Sequence, residues 1–304
     1  MPQGDQQEGP WGLIVPQKNR DSYERIEREG LRCLVDKSLD RKSVESGLKD
    51  PDGWFAANGA RLVRKSPNWL AEVPMAGAES GPAVAVILKK YIAVGILGKL
   101  RQGAGPSKAS RAWNRAFDLL GRKIKTPRPL LFLERIGPDG KTRGASYLGV
   151  EQVSGAKQVR EVLAEFRRYE KTEGQPHASK YAFLGHLARF VRQLHEADFC
   201  HRDLSGGNIL IGGPYTSPEF FLLDINRGFF SKPLTFAQRL RDLERVYIEA
   251  KDHEFFYRAY CTSPEQFETE FMEFCSRNRR YRQFRQTRDP IRKFYLRVRV
   301  RIGT

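Results

Sequence analysis

The sequence predicts an α+β chain in which a small antiparallel sheet comes first and a mostly helical half follows. Three observations carry this. Between residues 60 and 153, short apolar runs alternate with turn-forming clusters, as antiparallel strands and hairpins require. From residue 159 onward, apolar residues recur at helical spacing over long stretches. Within the second half, a polar loop (Cys200-His201-Arg202-Asp203-Leu204-Ser205-Gly206-Gly207-Asn208) leads into a short apolar run, and a further apolar run over 219–223 ends in Asp224.

Taken in order, residues 1–20 are rich in Gln, Gly, Pro and Asn and predict a loose tail. Tyr23, Ile26, Leu31 and Leu34 give 21–35 a helical apolar spacing, so a helical extension packing on the first half is expected there. Three strands follow over 60–64, 70–75 and 83–91, with turns at 65–69 and 76–82. The third, Val84-Ala85-Val86-Ile87-Leu88-Lys89-Lys90-Tyr91, is apolar and carries a lysine pair near its end. Trp113, Phe117 and Leu120 place a helix over 107–121, closed by Gly121. A hairpin over 130–136 and 145–153 turns at Gly137-Pro138-Asp139-Gly140. Helices are predicted over 159–169 and 179–197, the second carrying Leu184, Leu187, Val191 and Leu194 on one face. Past Asp224 the reading is helical over 235–250, 253–260 and 264–274. Val298, Val300 and Ile302 alternate with Arg297, Arg299 and Arg301, as an extended segment does. Domain limits are expected at 1–50 for the extension, 51–153 and 154–275 for the two lobes, and 276–304 for a basic segment.

Four scattered cysteines without a C-x-x-C pair argue against a zinc site or a disulfide framework and fit a reducing compartment. No run of about 18 apolar residues predicts a transmembrane helix, and the first residues lack an apolar signal-peptide core. The net charge is +17, and from residue 276 to the end eleven Lys or Arg face a single acid, Asp289. Such a field attracts nucleic acid, anionic membrane surfaces or anionic substrates, and charge alone does not choose among them.

The loop supplies an Asp, an Asn five residues later, and a second Asp at a strand end. Phosphoryl transfer needs such a set: one carboxylate to take the proton of the attacking hydroxyl, and a carboxamide oxygen and a second carboxylate to hold Mg²⁺. The spacing H-R-D-x-x-x-x-N followed by Asp224 resembles the catalytic loop and metal site of protein kinases. On that resemblance the fold is a two-lobed protein-kinase-like one, with ATP and Mg²⁺ as cofactors. Asp203 is then the catalytic base, and Asn208 and Asp224 the metal ligands. Lys89, preferred to Lys90, meets the α- and β-phosphates. Glu151 and Val153 offer backbone groups to adenine where the chain crosses between lobes. His201 braces the loop, and His186 and His195 are packing or surface residues. Two departures stand out. The turn at 65–69 lacks the G-x-G-x-x-G pattern, and the helix over 107–121 carries no acid before Asp118, so Lys89 lacks its usual Glu partner.

Further matches narrow the resemblance. Val86-Ile87-Leu88-Lys89-Lys90-Tyr91, Ser110-Arg111-Ala112-Trp113-Asn114, Thr126-Pro127-Arg128-Pro129 and Leu223-Asp224-Ile225-Asn226-Arg227 make the chain similar to the lipopolysaccharide kinase family, the Kdo and heptose kinases of the inner core. That resemblance implies ATP-dependent phosphorylation of an inner-core sugar on a lipid A-core glycolipid. It also implies a cytoplasmic protein, peripheral at the anionic inner face of the inner membrane. Ala112 stands where the family often has Glu. Ser205, two places after Asp203, is shared with atypical RIO-type protein kinases, which remain an alternative, as does a kinase-fold scaffold without activity. No nucleic-acid-binding module is present, so a nucleic-acid partner is not expected.

Overall fold

Strand-forming runs between Tyr23 and Glu151 assemble one antiparallel sheet in the computed structural model, which describes residues 10–28, 30–64, 68–92 and 105–302. The strands are β1 (Tyr23–Arg28), β2 (Leu31–Asp36), β3 (Arg61–Arg64), β4 (Trp69–Met75), β5 (Val84–Tyr91), β6 (Pro129–Ile136) and β7 (Thr142–Glu151). Their order across the sheet is β1-β2-β6-β7-β5-β4-β3. This sheet, with α1 (Arg41–Gly47) and α2 (Lys108–Gly121), makes a first unit that runs to Ser154 and also takes in Leu222–Asn226.

Residues 21–35, expected as a helix, are the β1–β2 hairpin, with Tyr23 opposite Asp36 and Arg28 opposite Leu31. The turn contains Gly30 at φ +71°, a conformation that favours glycine and interrupts any helix. The apolar run Cys33-Leu34-Val35 is buried on both sides, which a strand covered on two faces permits and an amphipathic surface helix does not. Those two faces carry separate cores. On one, Val86, Leu88, Leu131 and Leu133 pack with Val44 and Leu48 beneath α1. On the other, Tyr91, Phe132 and Leu148 pack with Ala109, Trp113 and Phe117 of α2. Ser107 caps α2 by accepting a hydrogen bond from the Ser110 amide. Lys65, Ser66 and Pro67, within the turn at 65–69 that lacks the G-x-G-x-x-G pattern, lie outside the described residues, as do residues 1–9 of the predicted tail.

The second unit comprises Gly155–Phe221 and the chain from Arg227 onward. It is built on α3 (Val159–Glu173), α4 (Lys180–Glu196), α5 (Phe236–Val246), α6 (His253–Tyr260) and α7 (Pro264–Ile302). The short strands β8 (Lys157–Gln158), β10 (Ile209–Gly212) and β11 (Glu219–Leu222) pair as β11-β10-β8, while β9 (Phe199–Cys200) pairs with β12 (Phe229–Phe230). Leu184, Leu187, Val191 and Leu194 are all buried, as the spacing on α4 predicts. The helix expected over 235–250 ends at Val246, because Tyr247 adopts φ +67° and closes it. The alternation at Val298, Val300 and Ile302 does not produce an extended segment. One helix runs from Pro264 to Ile302: Arg, Gln and Glu favour it, no glycine interrupts it before Gly303, and it continues through Pro290.

Candidate active site

In the first unit, strand alternation sends neighbouring lysines to opposite faces of the sheet. Lys90 points toward the α1 side, where its ammonium donates to Asp52 at 2.6 Å and lies 4.7 Å from the Trp69 ring centre. Lys89 points to the α2 side with Tyr91 and donates to Asp224 Oδ1 at 2.5 Å. Alternation thus separates a structural lysine from one that meets the predicted metal ligand. Asp224 is held in place by its neighbours. Thr126 Oγ1 donates to the Leu222 carbonyl at 2.7 Å, the Leu222 amide donates to the Lys125 carbonyl at 2.9 Å, and the Arg115 guanidinium donates to the Asn226 carbonyl. Asp224 itself sits at φ +53°, a strained setting for a non-glycine residue of the kind that collects at functional positions. Burial, and then the Asp224 charge, raise the Tyr91 phenol well above its ordinary range, so it stays neutral beside Lys89. Burial and Arg111 lower Arg115.

The acid missing from α2 has a structural counterpart. Ala112 is buried in the core, and the helix presents Trp113 and Asn114 to the chain before β1. Trp113 Nε1 donates to the Ile14 carbonyl at 3.0 Å, Asn114 Nδ2 to Gly12 at 2.8 Å, and the Ile14 amide to Asn114 Oδ1 at 2.9 Å. Lys89 thus finds its carboxylate on Leu222–Asn226 rather than on α2. Glu151 ends β7, where its amide donates to the Arg128 carbonyl and its carboxylate lies 3.8 Å from the Arg128 guanidinium. Val153 follows two residues later and is half-buried.

In the second unit, the loop after Cys200 is fixed from beneath. Asp242 on α5 is fully buried and accepts the amides of His201 at 2.6 Å and Arg202 at 2.7 Å. His201, also fully buried, accepts the Asp203 amide on Nδ1 at 3.3 Å, which makes it a brace rather than a reacting group. Within this arrangement Arg202 sits at φ +67°. Asn208 Nδ2 donates to the Asp203 carbonyl at 2.8 Å, so the two motif residues are tied together across the loop. The Asp203 carboxylate is partly exposed and takes Arg245 Nη1 at 3.2 Å. Cys200 is no nucleophile: burial, followed by the Asp242 charge, pushes its thiol up to about 12. His195 is a packing residue as expected, its Nδ1 2.8 Å from the Tyr260 hydroxyl.

Two residues of this site escape a sequence reading, Asp242 and Arg245. Both lie on an ordinary amphipathic helix some forty positions past the loop, and nothing in their local pattern marks them. A buried acid in a helix flanked by arginines is the only trace.

Comparison with known proteins gives a family and a fold. The profile described as the lipopolysaccharide kinase (Kdo/WaaP) family matches residues 88–262. A search of curated proteins returns no match. Among solved structures, the chain is similar to one described as WaaP in complex with acyl carrier protein, at a TM-score of 0.56 and 18% identity, covering 81% of this chain and 97% of that one.

Proposed function

The chain belongs to the lipopolysaccharide kinase (Kdo/WaaP) family, and on that premise we propose that it transfers the γ-phosphate of ATP to a hydroxyl of an inner-core sugar, Kdo or heptose, on a lipid A-core glycolipid. Family membership makes it a kinase of lipopolysaccharide biosynthesis. The sugar acceptor and the roles below are our reading. The observation that supports it most is the braced loop: Asp203 is locked by Asn208, His201 and Asp242 while its carboxylate stays partly exposed. That combination suits a group that must orient a hydroxyl and take its proton late in transfer.

Lys89 neutralises the α- and β-phosphates, and its contact with Asp224 keeps it extended for that task. Backbone groups of Glu151 and Val153 meet the adenine. The donor set suits Mg²⁺: Asp224 offers a carboxylate and Asn208 its carboxamide oxygen, the Asn208 nitrogen being already engaged, and both are the hard oxygen ligands this ion takes. Held by these residues, Mg²⁺ would supply positive charge to offset the negative charge that develops on the transferring phosphate. No described helix is long and apolar enough to cross a membrane. The +17 charge supports a peripheral position on an anionic membrane surface.

The test is transfer of labelled γ-phosphate from Mg-ATP to purified lipid A-core acceptor, with and without Asp203→Ala. Label in the glycolipid that disappears in the variant is the expected result. Label in protein alone, or none in any acceptor despite nucleotide binding, overturns the reading.

A further inference from the structure

Against the braced loop, the second unit holds a cleft of about 530 Å³. Arg160 and Arg167 of α3, Arg245 of α5 and Arg285 of α7 line it with the Ser205-Gly206-Gly207 stretch, and no Asp or Glu is among its lining residues. Arg160 and Arg167 stand about two helical turns apart and share a face. Neither is ion-paired among the described residues.

The two glycines of the loop explain how the charges come so close. A Cβ on Gly206 would lie 2.9 Å from the Arg160 amide nitrogen, which itself donates to the Gly206 carbonyl at 2.9 Å. A Cβ on Gly207 would lie 3.4 Å from Arg160 Nη1. Absent side chains thus let the Arg160 guanidinium lie along the loop, between the positions of Asp203 and Asn208 in sequence. Arg245 connects the cleft to Asp203: its Nη1 reaches the carboxylate, while its buried Nε has no hydrogen-bond partner among the described residues.

We propose that this cleft is an anion subsite for the acceptor, seating a phosphate or carboxylate group carried by the sugar close to the hydroxyl that Asp203 deprotonates. The inference rests on the kinase reading above. Guanidinium forks match both anions bidentately. Arg245 is already paired with Asp203, but Arg160 and Arg167 face the cleft with no acid among its lining residues, which favours a ligand of at least one full negative charge, and the volume suits one or two sugar rings. The nucleotide has its own lysine, Lys89 of the first unit, so the arginines are assigned to the acceptor. Tyr247, 38% exposed at the cleft wall and held at φ +67°, adds an aromatic surface beside them.

The experiment compares wild type with Arg160→Gln, Arg167→Gln and the double variant, in steady-state assays with the core glycolipid and Mg-ATP. Each single change is expected to raise the acceptor KM about tenfold, the scale of a lost hydrogen bond to a charged group. The ATP KM should stay within about twofold, and thermal unfolding should be unmoved, since both side chains are exposed. Two acceptor forms identify the anion: whichever of dephosphorylated or carboxyl-reduced glycolipid loses affinity, and no longer responds to Arg160→Gln, lacks the group that binds. Unchanged acceptor KM in all variants, or a rise in ATP KM instead, overturns the subsite. Titration calorimetry with inorganic phosphate, without ATP, separates this from the kinase reading. Phosphate binding that the double variant loses, in a protein that phosphorylates no glycolipid, keeps the subsite and removes the sugar-kinase assignment.

Discussion

Replacing Asp242 with Asn tests whether the loop is built from beneath. The change preserves shape but not acceptor capacity. Asp242 takes two amides, from His201 and Arg202, in a fully buried position. A hydrogen bond to a charged group contributes about 1.5–3 kcal/mol, and a buried donor left unpaired costs about 1–3 kcal/mol. Asn keeps one oxygen and turns an N–H₂ toward the other amide, so the loss is about 3–4 kcal/mol. Arg202 sits at φ +67° under this restraint, and relaxing a left-handed non-glycine residue returns about 1 kcal/mol. The net cost is about 2–3 kcal/mol, or a fall in Tm of roughly 5–10 °C. Because the freed amides directly precede Asp203, a displacement of about 1 Å is expected at the base, with about a hundredfold loss in kcat. Scanning calorimetry and single-turnover transfer measure the two effects. A variant within 1 °C of wild type and within twofold in rate would refute the account of how the loop is held.

Other outcomes follow from the same geometry. Lys89→Met should lower kcat/KM for ATP by about a hundredfold, as removal of a preorganised charge from a transferring phosphoryl group does. It should change unfolding free energy by no more than about 1 kcal/mol, because Asp224 is partly solvated; urea titration separates the two. Gly206→Ala places a Cβ against the backbone of Arg160 and should destabilise by about 1–3 kcal/mol in the same titration, whereas no change would mean the loop has slack. Burial holds the His253 imidazole below its ordinary value while Nε2 lies 3.0 Å from the Ile248 carbonyl. The folded chain therefore keeps it neutral, and the unfolded chain takes a proton near pH 6.5. Stability should fall as pH drops below about 6.5, and His253→Gln should flatten that slope; an unaltered slope would assign the effect elsewhere.

Much of the architecture was legible because it follows local periodicity. β5 with its Lys89-Lys90 pair, the helix carrying Trp113 and Phe117, and the amphipathic α4 all follow from spacing. The loop was legible because its chemistry requires polar residues at short fixed offsets. The β1–β2 hairpin misled because Tyr23, Ile26, Leu31 and Leu34 satisfy a helical period by coincidence; only Gly30 and burial on both faces decide for strands. The length of α7 differs from the expectation because the alternation of Val298, Val300 and Ile302 with arginines suits an extended chain, and the helix carries through it all the same. Partners set by tertiary contact left no local trace. Lys89 meets a carboxylate 135 positions away, and Asp242 reaches back 41 positions to His201.

The return of Leu222–Asn226 to the first unit has a consequence for birth on the ribosome. A domain usually folds once its last residue has emerged, at about 5–20 residues per second. Here everything up to Ser154 can be exported while the segment that binds Lys125, Thr126, Arg115 and Lys89 is still unsynthesised. For several seconds to roughly fifteen seconds the nascent sheet waits without the acid that Lys89 meets, as the intervening polypeptide is made. Two consecutive genes split at the boundary after Ser154 would leave the first product permanently in that waiting form.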